Sequence, residues 1–170
     1  SLLLALSFVT ASLCAVPTHA ETNGGWMPRG MWKDPATGLI WDRCSLGQTW
    51  NGQTCTGSAA QYSWDAVVSA IRQHNRGGYA DWQLPNVAQL RTLIQCSKGF
   101  DVNRSSTVKS NSFEGLGDFK FAQCAIGSDK PTLNSQTFPN TPSNSYWSAS
   151  PYVINKFDYG LIWGVEFGDV

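Results

Sequence analysis

Apolar residues recur along this chain with two periods, and each period marks a kind of element. Trp64, Val67, Val68 and Ile71 follow the i, i+3, i+4, i+7 spacing of one helical stripe. Ser63 stands where an N-cap hydroxyl accepts from an early backbone N–H, and Asp65 suits the positive end of the helix dipole. Gly77 and Gly78 supply the left-handed backbone that ends helices. A second helical pattern follows Pro85, which disfavours helix at Leu84. Asn86 and Gln89 make a capping box there, and Val87, Leu90, Leu93 and Ile94 form the apolar face. Strands show as alternation. Leu161, Trp163, Val165 and Phe167 fall on one face and Glu166 on the other, and Tyr146-Trp147-Ser148-Ala149-Ser150 reads as a strand ended by Pro151. Trp32-Lys33-Asp34 and Leu39-Ile40-Trp41-Asp42 flank Pro35-Ala36-Thr37-Gly38 and predict a β-hairpin.

The stretches between these patterns are polar. Residues 21–30 read as a loose, Gly-rich lead-in, and 45–62 as a loop. Residues 97–145 show little periodicity beyond a short strand at Phe119-Lys120-Phe121, and a connection that long is usually functional or variable. Phe100, Phe113, Phe119, Phe121 and Phe138 argue that most of it is pinned down. The helices are joined by Gly78-Tyr79-Ala80-Asp81-Trp82-Gln83-Leu84-Pro85, too short to be a free loop. Tyr79, Trp82 and Leu84 are expected in the core, with Asp81 tying the junction by accepting backbone or Trp N–H bonds.

Residues 1–20 read as a secretory signal peptide that lacks its basic n-region. Leu2, Leu3, Leu4, Leu6, Phe8 and Val9 form a core too short to span a bilayer, and Thr18-His19-Ala20 is a small-x-small cleavage site. The segment is uncharged, so residues 21–170 keep all 12 basic and 12 acidic side chains. Zero net charge gives no electrostatic case for nucleic acid or an anionic membrane, and no membrane insertion is expected after cleavage. Cys44, Cys55, Cys96 and Cys124 then imply two disulfides in an exported chain. Of the three pairings open to four cysteines, Cys44–Cys55 with Cys96–Cys124 is favoured, because each pair brackets one Gly/Ser/Asn-rich loop. Zinc is disfavoured: there is no C-x-x-C, and His74 is the only histidine left. All eight tryptophans lie past the leader and are expected mostly in the core.

Seven pieces in order resemble the Lcl C-terminal-like family, a bacterial domain of unknown function: Asp34 to Trp41, Ser63 to Ala66, Gly78 to Pro85, the second helix with Leu90 and Leu93, Phe138-Pro139, Tyr146 to Ser150, and the Trp163 strand. They span roughly residues 31–170 as one domain. The resemblance implies an α+β, C-type-lectin-like fold, akin to formylglycine-generating enzymes and adhesin tip domains. Two helices would pack on small antiparallel sheets with long irregular loops, stapled by disulfides. It also implies export, to a secreted, periplasmic or cell-surface location. Family members usually continue into a closing strand, so the domain is expected to be truncated at Val170. The name-giving member is an adhesin for sulfated glycans. Lys109, Lys120, Lys130 and Lys156 are scattered, so that specificity is not carried over.

No catalytic residue is assigned. Hydrolysis needs a nucleophile with a base, or two placed carboxylates. His74 sits near the end of the first helix, where interaction with the helix's negative end is its expected role. Formylglycine-generating chemistry needs free thiols and copper, and Cys96 and Cys124 are read as a disulfide. No cofactor is expected. Calcium is the remaining metal candidate, with Asp101, Asn103, Asn111, Glu114 and Asp118 as oxygen donors, but their spacing matches no EF-hand. The expected function is an exported, non-catalytic binding module, an adhesin or carbohydrate-recognition domain, whose partner is a glycan or protein at the cell surface. The alternatives are a structural domain of an envelope or pilus assembly and a formylglycine-generating-type enzyme. No ligand-binding residue is assigned, and Asp81, Trp82, Pro85, Trp147 and Trp163 are read as structural.

Overall fold

Asp34 builds the first hairpin out of its own turn. The computed structural model, which describes residues 23–108, 119–151 and 162–168, pairs β1 (Met31–Lys33) antiparallel with β2 (Ile40–Asp42), Trp32 opposite Trp41. The buried Asp34 carboxylate accepts from Ala36 N at 2.9 Å and from the Thr37 hydroxyl at 2.6 Å. Its backbone N–H donates to Leu39 O and its carbonyl accepts from Gly38 N, both at 2.8 Å. A buried carboxylate is costly unless its lone pairs are filled, and here the tight turn fills them. The signal peptide predicted over 1–20, together with Asn111, Glu114 and Asp118, lies outside the described residues.

The lead-in is ordered rather than loose. Asn23–Trp26 form a helical turn (α1) that continues as a 3-10 turn over Met27–Arg29, and Trp26 is buried. Gly30 follows at φ 78°, and a Cβ there would stand 2.6 Å from Trp50 Cγ. The glycine thus allows both a left-handed backbone and a close approach. The 45–62 loop is stapled by Cys44–Cys55, with Cα atoms 5.5 Å apart, and contains the two-residue strands β3 (Thr49–Trp50) and β4 (Cys55–Thr56).

Helix α2 (Trp64–Gln73) begins as predicted, with Ser63 Oγ accepting from Ala66 N and Val67 buried. It ends earlier than the glycines imply. His74 is already extended, at ψ 133°. Gly77 and Gly78 do adopt positive φ, 61° and 88°, but as the central pair of a tight turn. Arg76 and Tyr79 exchange both backbone hydrogen bonds across it, as in a two-residue primed turn.

Helix α3 (Val87–Arg91) has the predicted capping box, with Gln89 N donating to Asn86 Oδ1 at 2.7 Å and Asn86 N to Gln89 Oε1 at 2.8 Å. A third cap comes from afar, since Val87 N donates to Ser150 Oγ at 3.0 Å. Ser150 lies on β7 (Ser145–Pro151), which pairs antiparallel with β8 (Ile162–Glu166). The register slips between Trp147 and Pro151. Within the slip Ala149 N donates to Pro85 O at 2.8 Å and Ser148 Oγ to Trp163 O at 2.8 Å. A bulge thereby frees backbone groups that clamp the entry to α3.

The predicted apolar faces meet there. Val87 and Leu90 of α3 pack on Val165 of β8 and on Phe167, with Trp41, Leu93, Ile94, Leu133, Tyr146 and Trp163 partly buried around them. Between 97 and 145 the structure is more regular than predicted. The nine-residue strand β5 (Phe100–Val108) pairs antiparallel with β6 (Phe119–Cys124), and Cys96–Cys124 closes its base, Cα atoms 5.2 Å apart. Both disulfides follow the favoured pairing. The described residues thus form an α+β arrangement of helices and four two-stranded antiparallel sheets.

Candidate functional site

A cleft of about 1290 Å³ runs between β2, the 44–62 loop, the 79–85 segment, α3 and the β7–β8 hairpin. One wall is organised by Asp42. Its Oδ2 lies 2.7 Å from His74 Nε2 and 3.1 Å from Arg76 Nε, while Oδ1 accepts from Cys44 N at 2.9 Å. Arg76 Nη2 also donates to Gln48 O at 3.2 Å. The Trp82 ring stands edge-on to His74, centroids 5.7 Å apart. Asp42 therefore ties together β2, the end of α2 and the tight turn after it.

That arrangement revises two expectations. His74 bonds Asp42 instead of the helix end, because the chain leaves helical geometry at His74 itself. The junction acid is Asp42, not Asp81: Asp81 is exposed on the cleft and accepts no hydrogen bond from the described residues. The Trp82 indole N–H, expected to be bonded there, is buried with no hydrogen-bond partner among the described residues. Tyr79 is 38% exposed and so lies outside the core. Trp26 is the one tryptophan in the fully buried core.

On another wall the Tyr146 hydroxyl lies 2.9 Å from Ser45 Oγ and donates to Pro142 O at 3.2 Å. Burial pushes the Tyr146 phenol above its ordinary pKa, partly offset by the Ser45 hydrogen bond. Arg43 is buried with no carboxylate on it among the described residues. Its Nε donates to Thr137 O at 2.7 Å, Nη2 to Gln136 O at 2.6 Å and Nη1 to Met27 O at 3.3 Å, and it lies over Trp50 at 4.3 Å. Desolvation lowers its pKa. Three carbonyl dipoles and an aromatic face take the place of a counter-ion.

The rim is aromatic. Trp147 is 37% exposed, its Nε1 donates to Tyr62 O at 2.8 Å, and its ring makes a T-shaped contact with Trp64, centroids 6.0 Å apart. Pro85 O accepts from Ala149 N, and Trp163 is partly buried against the core cluster. Of the calcium candidates described, Asp101 accepts from Asn103 N at 2.9 Å in a local turn. Among the described residues no three His, Cys, Asp or Glu gather as metal ligands. Asp42 and Arg43 are not singled out in the sequence, and Trp147 is read there as structural, not as part of an outward rim. For Trp147 a signal existed: alternation with the inward Tyr146 turns it outward.

The arrangement offers a concave surface with fixed aromatic rings and short polar groups, suited to holding a ligand. A family model for the Lcl C-terminal domain matches residues 30–170, and the chain belongs to that family. No curated protein and no solved structure matches the chain.

Proposed function

We propose that this Lcl C-terminal domain is an exported, non-catalytic binding module of C-type-lectin-like fold, and that its cleft holds a glycan at the cell surface. The observation that carries this reading is the lining of the cleft: Tyr79, Trp82 and Trp147 stand with Asp81, Gln83 and Glu166 along one concave surface. A pyranose ring has apolar C–H faces and a hydroxyl rim, so it needs flat aromatic surface flanked by short polar groups. Trp147 is preorganised for this, because its N–H is already bonded and its ring is braced in a T-shaped contact with Trp64.

Other features support the setting. Two disulfides are the mark of a chain that folds in an oxidising compartment. Among the described residues no helix is long and apolar enough to cross a membrane. Against thiol chemistry of the formylglycine-generating kind, all four described cysteines are in disulfides. A structural role in an envelope or pilus assembly is the second reading, favoured by Phe100 and Val102 on β5 and Ile126 in the turn after β6, which are 55%, 80% and 80% exposed.

A glycan array probed with the purified oxidised protein, with calcium and with chelator, tests the proposal. The expected result is binding to at least one glycan class that survives chelation. Binding to no glycan under either condition refutes it and leaves the structural role.

A further inference from the structure

The charges around the cleft are sorted by sign. Among the described residues its walls carry two side chains able to be cationic, Arg43 and His74, and both are committed. Arg43 is 6% exposed, with all three guanidinium nitrogens on backbone carbonyls. His74 is held by Asp42, and Asp42 is in turn paired with Arg76. The carboxylates left over are Asp81 and Glu166, both exposed and neither ion-paired within the described residues.

Glu166 also stands beside the aromatic platform. Trp147 is directly opposite Gly164 across the β7–β8 pair, so the two share a face of the hairpin. Glu166, opposite Ser145, is the next residue of β8 on that face. Gly164 has no side chain to cover the indole, and a Cβ there would lie 3.3 Å from Tyr146 O. The face thus presents a held tryptophan, an open strip beside it and one carboxylate.

We infer that the Trp147–Gly164–Glu166 face is a sugar subsite that accepts neutral or amine-bearing rings and rejects sulfated or carboxylated ones. The inference rests on the glycan reading above and assigns its charge class. Trp147 supplies the stacking surface, Glu166 accepts a hydroxyl or ammonium proton, and Asp81 adds negative potential along the cleft. Diagonal neighbours on a sheet face lie about 7 Å apart. At the effective dielectric of a protein surface, and screened by physiological salt over that distance, an anionic group beside Glu166 loses about tenfold in affinity.

The test uses the whole oxidised chain and matched oligosaccharides: an unsulfated sugar, its sulfated counterpart and its amine-bearing form. Affinity and melting temperature are measured for the wild type, Trp147→Ala and Glu166→Gln. The expected result is that the neutral and amine forms bind and the sulfated form binds about tenfold more weakly. Glu166→Gln should close most of that gap at unchanged melting temperature, and folded Trp147→Ala should lose binding to all three. Sulfated sugar binding as tightly as its neutral counterpart, or a gap that Glu166→Gln leaves intact, overturns the inference while sparing the glycan reading. Binding of none of the three, with no glycan bound on the array, removes both. If Trp147→Ala does not fold, the exposed Glu166→Gln variant alone decides.

Discussion

Asp42→Ala removes a side chain that three parts of the fold share. In the wild type the carboxylate receives Arg76, His74 and the Cys44 N–H, at 13% side-chain exposure. Hydrogen bonds to charged groups contribute about 1.5–3 kcal/mol each, but they share one acceptor and do not add. Water also reaches Arg76 and His74 once their partner is gone, which limits the penalty. A loss of about 3 kcal/mol is the expected outcome, a large share of the 5–15 kcal/mol typical of domains. The measurement is urea unfolding of the oxidised protein followed by tryptophan fluorescence, with m unchanged so that the midpoint reports stability. A shift in melting temperature of about 6–12 °C should accompany it. Asp42→Asn keeps an acceptor for Cys44 N and should cost about half as much. Adding Arg76→Ala to Asp42→Ala should cost less than the two single losses combined, by about 1 kcal/mol or more. A loss under about 0.5 kcal/mol for Asp42→Ala, the range of an ordinary surface change, would show that the cluster holds nothing together.

Two further substitutions probe the clamp and the motif. Ser150→Ala strands the buried Val87 N–H and should cost about 1–3 kcal/mol in the same unfolding assay, with α3 amide protons exchanging faster; unchanged exchange would mean that the hydroxyl is dispensable. Trp82→Ala removes a half-buried ring packed on His74 and should cost about 2–4 kcal/mol, damaging folding before binding. A fully stable Trp82→Ala protein that had lost its ligand would reverse that order.

What could be read in the sequence was what neighbouring residues decide. The Ser63 cap, the Asn86–Gln89 box and the β8 alternation act over a few residues, and all appear where their patterns put them. The disulfides followed from which loops the cysteines bracket. Features set by distant partners were hidden. Asp42 meets His74 and Arg76 from 32 and 34 positions away, and Arg43 reaches carbonyls 93 and 94 positions off. Ser150 caps a helix 63 positions earlier. Strand β5 was missed because Asp101, Asn103, Arg104, Ser105 and Ser106 break any apolar alternation, and pairing with β6 outweighs their weak β propensity. Gly77 and Gly78 showed the reverse fault. Their left-handed backbone was legible, but the same backbone serves a helix stop and a tight turn.

The β5–β6 ribbon packs chiefly on itself and is rooted at the Cys96–Cys124 bridge, apart from the α3–β8 core. The core therefore places little constraint on what natural selection does beyond that root. Doubling the length of a flexible connection costs only about 0.6 kcal/mol in closure entropy, and Phe100 and Val102 leave no core cavity when replaced, since they already face solvent. Among the described residues, the ribbon is therefore a part that lineages can lengthen, shorten or rewrite while the α3–β8 core stays in register.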